Sequence, residues 1–267
     1  MLTIESSDEN TTASKKDFLK LLEKYAVYRQ YSRNHSRAHH ESFLMCEYGM
    51  HELVLLGDDI IDRLQTTVDF ESLLPGTGVF DAGISGDRYE HILYRLMSKQ
   101  DGGRLMSALE EQDVRVWVVH AGTNNIDCLS GLRDADVLLL RLLLQTLLRI
   151  SNSSSCIILA GLFYRCDMLD DLVDDANSKL RSLTALMNAN LGEDRISFIP
   201  APSTIVKTKH MVDHVNLNEE GYTLWAEKLL PEIEAMLCLA TFGRRLEIRP
   251  DRRPSIGSLM MLPREQL

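Results

Sequence analysis

Short apolar runs alternate along this chain with stretches in which apolar residues recur every three or four positions. The runs are Leu53–Leu56, Val79–Phe80, Val114–Val119, Cys156–Leu159 and Ile196–Ile199, and Gly57 and Asp81 end the first two. The helical patterns cover residues 60–67, 87–98, 136–150, 172–190 and 218–238. Strands that alternate with helices in this way build βαβ units, and hence a parallel sheet covered on both faces. The pattern predicts one α/β domain with a five-stranded parallel sheet of flavodoxin-like order over residues 41–239.

Before it, residues 1–14 are polar and read as disordered. A helix is expected from Ser14 as N-cap, because Phe18, Leu21, Leu22, Tyr25 and Tyr28 fall at helical spacing. Residues 15–40 thus form a basic helical extension. After the domain, residues 240–267 contain Pro250, Pro254 and Pro263 and read as an irregular basic tail.

Charge sharpens this division. The net charge is −10, yet residues 15–40 carry +5 and residues 240–267 carry +3. The body over residues 41–239 is therefore strongly acidic. That balance argues against general nucleic-acid binding, although the two basic arms keep it as an alternative. Five dispersed cysteines without a C-x-x-C pair read as reduced thiols of a cytosolic or nuclear protein. Glu5, Asp8 and Glu9 do not suit a signal peptide. The most apolar stretch, Val137–Ile150, is interrupted by Arg141, Gln145 and Arg149 and is too short for a bilayer. It holds more leucine than one sheet-covering face requires, so a second helix or a partner subunit is expected to cover it. His35, His39 and His40 lie in a polar connector without carboxylate or Cys at ligand spacing, and no metal or other cofactor is expected there.

Function in such sheets gathers at the carboxyl ends of the strands. The first strand is followed by Gly57-Asp58-Asp59-Ile60, and the second by Asp81-Ala82-Gly83-Ile84-Ser85-Gly86-Asp87. Gly122-Thr123-Asn124-Asn125 follows the third. Asp213-His214-Val215-Asn216-Leu217-Asn218 and Gly221-Tyr222 open the last helix. Taken in order, these segments resemble the sequence blocks of the GDSL or SGNH hydrolases. Within that family they are most similar to the catalytic subunits of intracellular platelet-activating-factor acetylhydrolase. The lead-in His40-Glu41-Ser42-Phe43-Leu44 and the run His91-Ile92-Leu93-Tyr94-Arg95-Leu96 add to the likeness.

The resemblance implies ester hydrolysis by a Ser nucleophile and a His base held by an Asp, with an oxyanion hole of backbone N–H groups and an Asn amide. Carried over by position, Gly86 and Asn124 match the oxyanion donors and Asp213 matches the orienting Asp. Gly57 and the structural acid Asp58 match the first block. The nucleophile position, however, holds Asp59, and the base position holds Asn216. No intact catalytic set is therefore expected, and the chain reads as an interaction or regulatory subunit. An esterase with rearranged residues is the alternative. His214 stands two residues early for a substitute base; His120 reads as a packed strand-end residue and His210 as a solvated loop residue. The resemblance also implies a homodimer, a heterodimer with a homologous subunit, or a β-propeller partner, and no membrane.

Asp59, Asn124, Asp213 and Asn216 all offer oxygen, which would also suit a hard cation. The favoured reading is a hydrogen-bond network. In it Gly86 and Asn124 hold the Asp59 carboxylate, and Asn216 sits between Asp59 and Asp213 as donor to both. In the tail, Arg252-Arg253-Pro254-Ser255 has the form of a basophilic kinase target, with Ser255 as acceptor.

Overall fold

A computed structural model describes residues 7–32, 34–36, 38, 51–97, 109 and 112–247. The His40–Leu44 lead-in, His39 and Ser255 lie outside the described residues.

Five strands form one wholly parallel sheet: β1 (His51–Gly57), β2 (Gly78–Gly83), β3 (Val116–His120), β4 (Cys156–Ala160) and β5 (Ile196–Ile199). Their order across the sheet is β2-β1-β3-β4-β5, the flavodoxin-like order expected. Side-chain alternation divides the core in two. Val54, Leu56, Trp117, Val119, Ile157 and Leu159 face one side. There they pack with α1 (Ser7–Tyr25), α4 (Tyr89–Met97), α5 (Asp134–Ile150) and α6 (Asp170–Leu191). Leu53, Leu55, Val116, Val118, Ile158 and Ala160 face the other, against α2 (Asp59–Thr67) and α8 (Glu219–Glu247). Two further helices, α3 (Phe70–Leu73) and α7 (Lys207–His210), are single turns.

Two ends differ from the sequence reading. Helix α1 opens at Ser7 rather than at Ser14, so helix replaces the disorder expected for residues 7–14. Helix α8 runs to Glu247, beyond the expected boundary at 239, and continues through Pro231. The sequence Leu-Ala-Thr-Phe-Gly-Arg-Arg-Leu-Glu after Cys238 contains no proline, which leaves the helix no reason to stop earlier.

The apolar helix α5 is covered largely from within the chain. Leu140, Leu142, Leu143, Leu144, Leu147 and Ile150 are buried. Phe18 of α1 lies under the Arg149 guanidinium, 3.6 Å from its ring centroid, and Leu22 is fully buried in the same cluster. The extra leucines therefore serve several neighbours within the chain, with α4 and α6 packed against α5 and α1 in the same cluster, while Leu138 stays exposed.

The sheet's carboxyl edge is drawn together tightly. A Cβ on Gly57 would lie 2.0 Å from the carbonyl oxygen of His120, its register partner on β3. Gly57→Ala is expected to destabilise the fold by about 2–3 kcal/mol, the usual range for a methyl forced against backbone, as read by urea unfolding. On edge strand β2, burial and nearby Asp62 push Asp81 up to about 7, against the opposing Gly83 N–H bond and Arg95. A raised folded-state pKa gives stability that is present at low pH and lost as pH rises toward 7. Asp81→Asn should therefore flatten the stability profile between about pH 4 and 7, as measured by unfolding across that range.

Candidate functional site

The first strand delivers Asp58 and Asp59 to the start of α2. Asp58 is fully buried, and its Oδ1 accepts from the Ile60 N–H at 3.2 Å, capping the helix. It is a structural acid in this geometry. Asp59 follows as the first helical residue, where the unpaired N–H groups of the helix favour negative charge. Its Oδ2 accepts from the Gly86 N–H at 2.7 Å and from the Asn124 Nδ2 at 3.1 Å. The Asn124 amide also donates to the Asp87 carbonyl at 3.1 Å. One carboxylate oxygen thus joins the loops that follow β1, β2 and β3.

Gly86 can aim its N–H this way because it sits at φ 77°, in the left-handed region that favours glycine. The loop is locked by its neighbour Asp87, which is fully buried. Arg95 pairs with Asp87 Oδ2 at 2.8 Å, and Arg29 reaches Oδ1 at 3.3 Å. The Ser32 hydroxyl also donates to Oδ1. Arg29 Nη1 donates to the Ser85 carbonyl at 2.8 Å, and a Cβ on Gly86 would lie 2.5 Å from Arg29 Nη2. The basic segment before the domain therefore closes over the loop that holds Asp59. Local patterns offered no sign of this pairing, because Arg29 and Asp87 lie 58 positions apart.

The second half of the site comes from the turn before α8. Asp213 Oδ1 accepts from the Val215 N–H at 2.8 Å and the Asn216 N–H at 2.7 Å. Its Oδ2 accepts from Asn216 Nδ2 at 2.9 Å. The Asn216 amide is committed to Asp213 and makes no bridge to Asp59, contrary to the expected shared donor. The turn folds the amide back onto the carboxylate three residues earlier. Burial works to raise the Asp213 pKa, but these bonds and nearby Arg63 outweigh it and leave the carboxyl below its ordinary value. Tyr222 is buried at the start of α8, and its hydroxyl makes no hydrogen bond among the described residues. Burial pushes its phenol upward, Asp58, Asp59 and Asp213 add to the shift, and Arg63 opposes it.

Of the three histidines weighed in the sequence, His120 touches the site: its buried Nδ1 lies 3.6 Å from Asp58 Oδ1. His214 is exposed and turns its Nε2 toward Asp167, 4.0 Å away. His120 is fully buried at the end of β3, stacked on Phe163 and edge-on to Trp225. His210 is buried rather than solvated. It belongs to α7, and its Nδ1 accepts from the Val206 N–H at 2.8 Å. The closing of that single helical turn onto its own imidazole excludes water from the ring.

Asn124 and Asn216 present Nδ2 donors to the two carboxylates, which is the arrangement of a hydrogen-bond network. Among the described residues, no group of three His, Cys, Asp or Glu side chains is placed to hold a metal ion. None of the described helices is long and apolar enough to cross a membrane.

No protein-family model and no curated protein sequence matches the chain. Solved structures do match it. A protein from Streptococcus pneumonia named for platelet activating factor aligns with a TM-score of 0.52 at 15% identity, over 84% of this chain and 98% of that one. A family two carbohydrate esterase from Clostridium thermocellum gives 0.55 at 14%, over 71% of this chain and 65% of that one. A member of the lipolytic G-D-S-L family from Veillonella parvula gives 0.50 at 19%, over 68% and 97%. At these identities the likeness shows the fold, which is that of the GDSL and SGNH hydrolases.

Asp59→Ala strands the Gly86 and Asn124 donors. The change is expected to cost roughly 1–3 kcal/mol in urea unfolding, the usual penalty for partly buried donors left without an acceptor. A gain in stability would show that the carboxylate is a burden on the fold.

Proposed function

We propose that this chain is a hydrolase-fold protein that works by binding, as an interaction or regulatory subunit, and not by serine-ester chemistry. One observation carries the reading: the Asp59 carboxylate already occupies the donors that an ester oxyanion would need. A serine hydrolase stabilises a developing negative charge with preorganised N–H groups. Here a carboxylate oxygen of the chain itself accepts from those groups, so a tetrahedral oxyanion would find both donors occupied. Asp59 as a nucleophile fares no better, because an acyl-aspartate still requires a base to activate water. Asn216 cannot take up a proton, and His214 faces Asp167.

The rest of the triad's scaffold supports the same reading. Asn216 Nδ2 makes to Asp213 the contact that a histidine ring N–H would make in the related fold. Removing one triad member costs on the order of a millionfold in turnover where it has been measured, and here two positions differ. A binding role calls for a partner. A second copy, a homologous subunit or a β-propeller protein are the candidates that the sequence resemblance implies.

The wild-type chain is expected to show no labelling by fluorophosphonate probes and no p-nitrophenyl acetate turnover above a heat-inactivated control. Asp59→Ser combined with Asn216→His should gain weak turnover and become labelled at residue 59. Labelling of the wild-type chain within the cleft would overturn the proposal and favour an esterase with rearranged residues.

A further inference from the structure

Among the described residues, exposed large apolar side chains concentrate on one short segment. Leu21, Tyr25, Val27, Tyr28 and Tyr31 are all exposed within residues 21–31. Leu21 and Tyr25 belong to the last turns of α1, one helical turn apart on the same face. They form one wall of a groove of about 400 Å³ whose other wall is α5, through Leu138, Arg141, Leu142 and Gln145. Those α5 positions are spaced at three and four residues, so they too form a single ridge line. The groove is therefore an apolar channel between two helices, with Leu138 62% exposed on its rim.

Its charge is one-sided. Among the described residues, none that lines it carries a carboxylate, although the chain as a whole carries −10. Arg141 supplies the ionised group in the lining, and Lys24 stands at the edge over the Tyr25 ring, 5.2 Å from its centroid. Arg141 and Gln145 also set polar hydrogen-bonding groups within an otherwise apolar floor. An acyl chain would leave those groups desolvated and unpaired. A helix that inserts a leucine ridge and presents a carboxylate to Arg141 would satisfy both.

We propose that the α1–α5 groove is a docking site for an amphipathic, acidic helix of a partner protein. This inference rests on the binding role proposed above and names the surface and the partner's chemistry. The basic extension then has two tasks. Arg29 and Ser32 hold the Ser85–Asp87 loop, and the turns before them build one wall of the groove.

The test uses the full-length chain and a fluorescein-labelled leucine–glutamate amphipathic peptide of about 18 residues, long enough to form a helix. A second peptide carries Lys in place of every Glu. Fluorescence anisotropy should show saturable binding of the acidic peptide and at least about tenfold weaker binding of the basic one. Leu138→Glu and Arg141→Glu should each weaken the acidic peptide about tenfold. Arg141→Glu should also improve binding of the basic peptide, a charge-swap that a merely structural arginine would not give. Circular dichroism checks that both variants fold; Leu138 is exposed, so its replacement leaves the core untouched.

Absence of saturable binding, equal binding of the two peptides, or indifference to both substitutions would overturn the proposal. So would a homodimer in light scattering that Leu138→Glu dissolves, because a second copy would then be the occupant. Each of these results leaves the probe and turnover assays for the ester cleft unchanged, so failure here is separable from failure of the binding reading itself.

Discussion

A single oxygen atom organises the carboxyl edge of this sheet. Asp59 Oδ2 accepts from the loop after β2 through Gly86 and from the loop after β3 through Asn124, while its own backbone begins α2 after β1. Parallel strands leave their C-terminal loops as separate flexible excursions unless something crosses between them. Here the crossing element is a side chain of the chain itself, and the convergence of the two donors on it is a structural staple.

The staple depends on a second charge arrangement beneath it. Asp87 is fully buried, and a buried carboxylate without partners would be costly. It is met by Arg95 from the following helix, by Arg29 from the N-terminal segment and by the Ser32 hydroxyl. Because Arg29 also binds the Ser85 carbonyl, the backbone on both sides of Gly86 is fixed. The positive φ at Gly86 is thus supported from above by the extension and from below by α4. The N-terminal segment is part of the site's construction, and its basic character follows in part from that task.

The sheet and its order were legible in the sequence because short apolar runs and turn residues are local signals. The pairing of Asp59 with Gly86 and Asn124 was legible through the family resemblance, which implies that both donors face position 59. Other features were out of reach for physical reasons. Arg29 and Arg95 are ordinary basic residues in helical patterns, and only the folded chain shows that both converge on Asp87. Asn216 was expected to serve two carboxylates, but the Asp213 turn claims its backbone N–H and its amide together. His210 looked like a loop residue because a four-residue helix carries too little periodicity to be seen. The leucine excess of α5 was visible, yet not its division among the sheet, α4, α6 and α1, since that requires knowing which helices land beside it.

The hold on Asp59 also bears on how freely Gly86 and Asn124 could change. Each donor has an acceptor within its own chain, so replacing either would weaken folding whether or not any ligand enters the cleft. Selection for a sound fold alone is then sufficient to keep a glycine and an asparagine at these two positions.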